Sequence, residues 1–232
     1  MPKDFGQKRW RSVVVTGVGL ISPLGVGTEE TWQGILNGRS GKAPITLFSA
    51  NNYPCRFAGE VKGFVAEDFI ERKEVKKMGR FIQFAVVAAR HATTHAALRV
   101  MSENAERVQV YVGSGVGAFE VIEREHSKLI GQGPSRVSPF FITASIANMA
   151  AGQISIQSRA RGPNITCATA CTTGAHGIGE AFRIIQRGDA EVMICGGSEA
   201  AVTPLSVAGF SAMRALSTRN DEPADCGAPL GP

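Results

Sequence analysis

One cysteine stands where a strand-like run of residues gives way to a helix-like run, and its position could support chemistry. Residues 162–176 read GPNITCATACTTGAH, and Cys171 falls at the junction. A thiol at a helix N-terminus lies beside backbone N–H groups that favour a thiolate. The same N–H groups could stabilise the oxyanion that forms when a thiolate attacks a thioester carbonyl. The residues alone leave two interpretations of Cys171 open, a nucleophile and an inert core cysteine.

Two other chemistries fit this segment poorly. Cys167 and Cys171 are four residues apart, as metal ligands on a helix can be, but no histidine or carboxylate set lies nearby in the sequence. We therefore predict no metal site. The nucleophile elbow of the serine hydrolases has glycine two residues before and two after the nucleophile, and Thr169 and Thr173 stand at those places here. The five cysteines form no CxxC pair, which favours a reducing compartment.

Strand-like and helix-like runs alternate along the chain. The composition, 44% hydrophobic and 19% charged with 27 glycines, allows a sizeable core. Apolar runs predict buried strands at residues 13–15 and 108–112, and further strands are predicted at residues 164–170 and 191–195. Helical spacing predicts helices at residues 28–37, 80–98, 119–130, 145–158 and 172–187, the first of them capped by Thr28. This alternation predicts an α/β fold with a mostly parallel sheet.

The N-terminal segment imitates a signal peptide, because three basic residues precede an apolar run at residues 13–27. Several glycines and Pro23 make that run unsuitable as a membrane helix, and no other stretch has the length of a membrane span. We expect a cytoplasmic protein that binds neither membrane nor nucleic acid. The net charge of +5 suits ordinary solubility or an acidic partner.

Seven motifs, in order and covering roughly residues 11–223, resemble those of the elongating β-ketoacyl-[acyl-carrier-protein] synthases of the type II kind. They are VVVTGVGLISPLG (13–25), GSGVG (113–117), SPFFI (138–142), NMAAGQISI (148–156), TACTTGAH (169–176), GDAEVMICGGSEA (188–200) and PLSVAGFSAMRALSTRND (204–221). The resemblance implies the N-terminal half of a thiolase-like, layered αβαβα architecture and the start of the region between the halves. It divides the chain into an N-terminal domain, residues 1–223, and an aberrant tail, residues 224–232.

The resemblance also implies a reaction. Cys171 would take an acyl chain from acyl carrier protein, and the carbanion from decarboxylated malonyl-acyl carrier protein would then attack the acyl thioester. The product would be 3-oxoacyl-acyl carrier protein, formed by a homodimer without a cofactor. The intact Cys171 disfavours a chain-length-factor pseudoenzyme. His176 matches a structural position of the family, so we expect no general base there.

Further site residues follow from the resemblance one by one. Val116 matches a residue that lines and gates the acyl pocket, and Phe141 matches one that reaches the pocket of the neighbouring subunit. Ordinary core packing is the alternative for both. A docking patch for the acidic carrier protein would comprise Lys73, Lys76, Lys77 and Arg214. A solvated helix face is the alternative for the lysines.

Some family features differ or fall outside these 232 residues. Gly79 and Thr143 stand where the family usually has aspartate and proline. The two histidines, the lysine and the glycine-rich loop used for decarboxylation belong to the second half of the family's chains. We therefore expect that this sequence alone presents a thiol without condensing. One encoding of residues 228–232 gives Arg-Pro-Trp-Asp after a one-base shift, so we expect a frameshift near Ala224.

These features leave two alternatives to a fatty-acid-elongating synthase. One is a non-catalytic half that binds acyl chains or acyl carrier protein. The other is a ketosynthase of a polyketide pathway, which the TACTTG run disfavours. Without the second half, we expect the isolated chain to expose apolar faces and to aggregate.

Overall fold

A computed structural model of the protein describes residues 10–224. Its strands are β1 (Ile21–Ser22), β2 (Gly25–Val26), β3 (Ala43–Pro44), β4 (Phe57–Ala58), β5 (Val108–Gly113), β6 (Asn164–Ile165) and β7 (Val192–Gly197). Its α-helices are α1 (Thr28–Leu36), α2 (Arg72–Val75), α3 (Arg80–His95), α4 (Phe119–Gln132), α5 (Phe141–Ser145), α6 (Met149–Ser158), α7 (Thr173–Arg187) and α8 (Pro204–Ala212). Within this part of the chain, no helix is long and apolar enough to cross a bilayer.

The core is built on a parallel sheet with the strand order β6-β5-β7. The central strand β5 is buried along its whole length, as a strand covered on both faces should be, and the buried amide of Gln109 donates to the carbonyl oxygen of Asp189 (2.9 Å). Val108, Val110 and Val112 share one face and pack with residues of α3 and α6, whereas Tyr111 points to the other face and packs with Ile184 of α7. Helices therefore cover both faces, and the carboxyl ends of the three strands meet at one edge of the sheet.

The long helix α3 begins at a glycine that has no room for a side chain. A Cβ at Gly79 would lie 2.5 Å from the carbonyl oxygen of Ala144 and 2.6 Å from the Cβ of Ala118. Gly79 therefore cannot cap the helix with a side chain, and Oε1 of Glu120 instead accepts a 2.6 Å hydrogen bond from the N–H of Arg80. This tertiary cap accounts for the start of the helix without the family's aspartate.

The predicted buried strand at residues 13–15 is wrong. The structure has no strand there, and Val14 and Val15 are 75% and 80% exposed. Within residues 10–224, no neighbouring strand pairs with this segment, so its apolar side chains stay uncovered. Gly17 and Gly19 follow it and pass directly over the backbone of α3.

Two predicted boundaries also differ. Thr28 is the first residue of α1 and Gly27 is its N-cap, with a φ of 140° that favours glycine. The hydroxyl of Thr28 donates to the carbonyl oxygen of Val18 (3.0 Å) and therefore ties α1 to the N-terminal segment. The helix predicted at residues 145–158 begins later, as α6 at Met149, because Ser145 is the last residue of α5 and Ile146 after it is extended.

Candidate active site

Three loops meet at the carboxyl edge of the sheet. The hydroxyl of Thr166, beyond β6, donates to the carbonyl oxygen of Val112 (2.9 Å), and the N–H of Ser198, beyond β7, donates to that of Gly113 (3.0 Å). A Cβ on Gly113 would collide with the carbonyl oxygen of Cys167 and the side chain of Thr173. Glycine at the end of β5 therefore allows the segment that carries Cys171 to approach the sheet closely.

Cys171 lies in a single 3-10 turn, Ala170–Thr172, directly before α7. Ala170 has a φ of 51°, in the left-handed region that residues with a Cβ seldom adopt. The buried hydroxyl of Thr173 donates to the carbonyl oxygen of Ala170 (2.7 Å) and accepts from the N–H of Thr169 (2.9 Å). These bonds stabilise a sharp turn, the elbow (residues 169–173), that places Cys171 at the start of the helix.

The elbow ends the strand earlier than predicted. A strand was predicted over residues 164–170, but β6 stops at Ile165. The bond from Thr166 to Val112 uses a side chain, and the N–H of Thr169 binds a hydroxyl instead of a neighbouring strand. Side-chain bonds of threonine compete here with the ladder of the sheet, as is usual where a chain turns sharply.

The elbow exposes the Cys171 thiol and provides a backbone N–H that can donate a hydrogen bond at the same residue. Among the four cysteines within residues 10–224, Cys171 is the exposed one. The Cys171 N–H makes no hydrogen bond within that part of the chain. This N–H stands at the positive end of α7, so it can donate to an oxyanion that forms on a carbonyl carbon attacked by Sγ.

The other described cysteines are placed for packing. Cys55 is buried, and the partly buried Sγ of Cys167 lies 3.6 Å from the carbonyl oxygen of Thr173. Burial raises the pKa of the Cys195 thiol, which disfavours its thiolate. Cys226 lies outside the described residues.

The loop between β5 and α4, residues 114–117, lies against the elbow. A Cβ on Gly115 would lie 3.6 Å from the Cα of Ala170, the residue before Cys171. Val116 follows in this loop and is 42% exposed. Phe141 is the first residue of α5 and packs, partly buried, against the core. The pocket roles of Val116 and Phe141 stay predictions, although the loop carrying Val116 neighbours the thiol.

The predicted docking lysines cluster around α2. Lys73 is exposed and pairs with Glu71 (2.7 Å), and the hydrogen bond of this pair raises the pKa of Lys73. Lys76 is exposed at the end of α2. Lys77 pairs with Glu74 (2.8 Å), and its Nζ lies 5.8 Å from the centroid of the Phe140 ring. The lysine segment therefore adjoins the loop that leads into Phe141.

Arg214 is placed separately from these lysines. It is exposed in the turn after α8 and has a φ of 57°. No hydrogen bond or ion pair of the described chain joins Arg214 to the lysine segment. A common docking surface of the four residues stays a prediction.

His176, the histidine nearest to Cys171 in sequence, contacts the first residue of the elbow. Nδ1 of His176 lies 3.3 Å from the hydroxyl oxygen of Thr169. No hydrogen bond between His176 and Cys171 occurs within residues 10–224. His95 accepts a hydrogen bond from the N–H of Val18 (3.2 Å), and His91 packs edge-on against Phe69.

Sequence reasoning assigned no role to Glu199, although its carboxylate reaches this site. Glu199 follows β7 and binds the loop at residues 114–117 through its carboxylate. The available signal was local: a carboxylate two residues after a buried strand that ends in Gly-Gly, at the sheet edge where ligands bind in open α/β folds.

Comparisons with known proteins agree on one family. The family described as "Beta-ketoacyl synthase, N-terminal domain" matches residues 10–228. The chain is 49% identical over 220 residues to 3-oxoacyl-[acyl-carrier-protein] synthase 2 of Synechocystis sp., covering 95% of this chain and 53% of that protein. It is 51% identical over 213 residues to the synthase of the same name from Vibrio cholerae, covering 92% and 51%. The chain thus spans about half the length of the curated relatives it matches.

Solved structures give the same result for the fold. The ishigamide ketosynthase/chain length factor matches with a TM-score of 0.81 and 31% identity, over 90% of this chain and 52% of that one. A complex of a type II polyketide acyl carrier protein with its ketosynthase, AntDE:AntF, matches with a TM-score of 0.75 and 28% identity, over 87% and 55%. The predicted α/β fold of the thiolase-like kind is confirmed. The predicted tail, residues 224–232, lies outside the described residues except for Ala224.

Proposed function

Because this chain belongs to the β-ketoacyl synthase family through its N-terminal domain, we propose that it serves a fatty-acid-elongating condensation in which Cys171 accepts the acyl group. The thiolate of Cys171 attacks the carbonyl carbon of an acyl-carrier-protein thioester. The oxyanion accepts a hydrogen bond from the Cys171 N–H, and it collapses as the carrier's thiolate leaves and takes up a proton. An acyl-cysteine thioester remains on the protein.

The second part of the proposed reaction extends this thioester. Decarboxylation of malonyl-acyl carrier protein releases carbon dioxide and gives a carbanion, which attacks the acyl carbonyl and expels the Cys171 thiolate. The product is 3-oxoacyl-acyl carrier protein. This step is proposed from the curated relatives, which carry the name 3-oxoacyl-[acyl-carrier-protein] synthase 2 and are about twice as long.

One observation carries the proposal, namely the elbow. An exposed thiol, a left-handed residue before it and an N–H with no acceptor among the described residues coincide at the N-terminus of α7. A cysteine that served packing alone would need neither exposure nor an unusual backbone conformation, and such strain is found preferentially at functional sites.

Intact-protein mass spectrometry after incubation with an acyl-carrier-protein thioester tests the proposal. We expect one added acyl group in the wild-type chain and in Cys195→Ala, and none in Cys171→Ala. An adduct that persists in Cys171→Ala would refute the assignment of the nucleophile. Folded wild-type protein that binds the carrier without an adduct would favour the non-catalytic binding half.

A polyketide ketosynthase is the second candidate, favoured by two structural neighbours, a ketosynthase/chain length factor and a ketosynthase of a type II polyketide system. Their identity of 28–31% is well below the 49–51% to the 3-oxoacyl synthases. Saturated acyl thioesters should therefore acylate Cys171 faster than 3-oxo intermediates do, and the reverse preference would support the polyketide candidate.

Acyl carrier protein is the proposed partner, and a cytoplasmic homodimer is the proposed assembly. One structural neighbour is a ketosynthase in complex with its acyl-carrier protein. Exposed apolar side chains at Phe140, Ile142 and Ile146 form a surface of the kind that protein interfaces bury.

Reversing two cationic side chains is expected to slow acylation by the carrier-bound thioester about tenfold, because complementary charges steer association. Lys76 and Arg214 are the suitable pair, since both are exposed and neither has an ion pair within residues 10–224. The variant Lys76→Glu/Arg214→Glu should react with a small acyl thioester at the wild-type rate.

The matched control is Arg99→Glu/Arg161→Glu, which reverses two exposed cations outside the proposed patch. Stopped-flow rates at low and high salt measure the effect, and the difference between the two variants should shrink as salt rises. Equal slowing by both variants would contradict a specific docking patch.

A further inference from the structure

We infer that Glu199 is a positioning residue that holds the loop at residues 114–117 against the elbow and so sets which acyl groups reach Cys171. The inference rests on the proposed acylation of Cys171. It concerns a residue that touches neither the thiol nor the acyl group and acts through Val116.

A single carboxylate binds three consecutive residues of the loop. Oε2 of Glu199 accepts hydrogen bonds from the N–H of Gly115 (2.8 Å) and the N–H of Val116 (3.1 Å). Oε1 lies 3.2 Å from the hydroxyl oxygen of Ser114, which can donate to it. Bonds to an ionised acceptor are stronger than neutral ones, and adjacent backbone N–H groups form a natural cradle for an anion.

The end of the loop is fixed independently of Glu199. Within the loop, the hydroxyl of Ser114 also accepts a hydrogen bond from the N–H of Gly117 (3.1 Å). At its end, Gly117 has a φ of 74° and passes so close to Ser145 that a Cβ would collide with its carbonyl oxygen. The carbonyl oxygen of Ser145 also accepts a hydrogen bond from the N–H of Ala118 (3.2 Å). Within the described residues, the middle of the loop therefore depends on the Glu199 carboxylate.

Glu199 itself is tied to the sheet by its neighbour in the chain. Ser198 donates through its N–H to the carbonyl oxygen of Gly113 (3.0 Å) and through its hydroxyl to that of Phe81 (2.7 Å). The carboxylate is therefore positioned relative to β5 and α3, the elements on which the loop and the core are built. A displacement of the loop together with Glu199 would require these bonds to break as well.

The position of the loop determines the position of Val116. A Cβ on its neighbour Gly115 would lie 3.6 Å from the Cα of Ala170, so the backbone position of the loop determines where the Val116 side chain stands relative to the thiol. Without the carboxylate, the N–H groups of Gly115 and Val116 would turn to water and the loop could move off the elbow. The thiol and its N–H donor would remain, so discrimination between acyl chains should change more than the chemistry.

The rate constants for acylation of Cys171 by hexanoyl- and palmitoyl-carrier protein, and their ratio, test the inference. Glu199→Gln, which keeps the shape and removes the charge, is expected to change this ratio at least about fivefold, since a charged hydrogen bond is worth a factor of ten or more. The control Glu191→Gln removes an exposed carboxylate at the opposite end of β7 and should leave the ratio unchanged.

A double-mutant cycle of Glu199 and Val116 shows whether Glu199 acts through the loop. In a Val116→Ala background, Glu199→Gln should change the ratio by less than about twofold, because residues that act as a unit are not additive. An unchanged ratio in Glu199→Gln, or full additivity in the cycle, would overturn the inference.

Amide hydrogen exchange provides a readout that does not depend on acylation. Exchange at Gly115 and Val116 should rise at least about tenfold in Glu199→Gln, with Glu191→Gln like the wild type. If the wild-type chain takes no acyl group, the proposed function fails, whereas unchanged exchange at these two amides would refute the role of Glu199 itself.

Discussion

Alanine in place of Gly113 is expected to lower the free energy of unfolding by about 1–3 kcal/mol, the usual range for overpacking a close-packed site. A Cβ here would collide with the carbonyl oxygen of Cys167 and the side chain of Thr173. Thr173 holds the elbow, so we also expect Cys171 to be acylated at least about tenfold more slowly, because small misplacements of a reacting group are costly. Chemical denaturation and adduct formation measure the two effects.

The control for this substitution is Gly179→Ala in the middle of α7. A Cβ at Gly179 meets no atom within 4 Å, and alanine is the better helix former. This variant should gain about 0.5–1 kcal/mol of stability and keep the wild-type acylation rate. Equal behaviour of the two variants would contradict the close approach of β5 to the elbow.

Removing the carboxylate of Glu125 is expected to give the second large effect. Its side chain is 2% exposed and binds Lys128 (2.8 Å), Arg124 (3.0 Å) and the N–H of Ser138 (2.8 Å). The last bond fixes the segment that leads into α5 and Phe141. Glu125→Gln should cost about 1.5–3 kcal/mol at neutral pH, the usual range for hydrogen bonds to a charged group.

The cost of Glu125→Gln should depend on pH. The hydrogen bond from Lys128, followed by that from Ser138, lowers the pKa of Glu125 from 4.5 to about 2. Because the folded-state pKa is the lower one, its stabilising contribution is complete above about 4.5 and is lost as the pH falls towards 2. Unfolding curves of wild type and Glu125→Gln should therefore converge in that window.

The exposed residue Glu103 provides the control for this effect, since its carboxylate contacts the hydroxyl of the adjacent Ser102. Glu103→Gln should change the free energy of unfolding at neutral pH by no more than a few tenths of a kcal/mol. A stability difference between wild type and Glu125→Gln that stays constant from pH 7 to about pH 2 would contradict the lowered pKa.

The local pattern predicted the central elements well. A largely apolar run predicted β5, and helical spacing predicted α3 and α7, because both patterns can be recognised from residues that are close together in the sequence. Residues 13–15 have the same apolar character, but a strand also needs partners, which are distant in sequence. α8 was missed, although Thr203 and Pro204 carry the signature of a helix start: the Thr203 hydroxyl accepts the N–H of Ser206 (3.3 Å).

At the candidate site, too, local sequence patterns predict some features, whereas others depend on contacts between residues that are distant in the chain. The position of Cys171 before α7 follows from a strand-like run that meets a helix-like run. The role of the Glu199 carboxylate depends on residues that are distant in the chain meeting at the sheet edge, since Ser114 and Glu199 are 85 positions apart. Local patterns do not encode such contacts.

Peptide-resolved mass spectrometry tests the central claim, that the elbow makes Cys171 the acyl acceptor, most directly. The folded chain would be incubated with an acyl-carrier-protein thioester, quenched, unfolded and alkylated with iodoacetamide before digestion. We predict the acyl group on Cys171, and alkylation at Cys55, Cys167 and Cys195. An acyl group on Cys167 or Cys195, with Cys171 alkylated, would contradict the account.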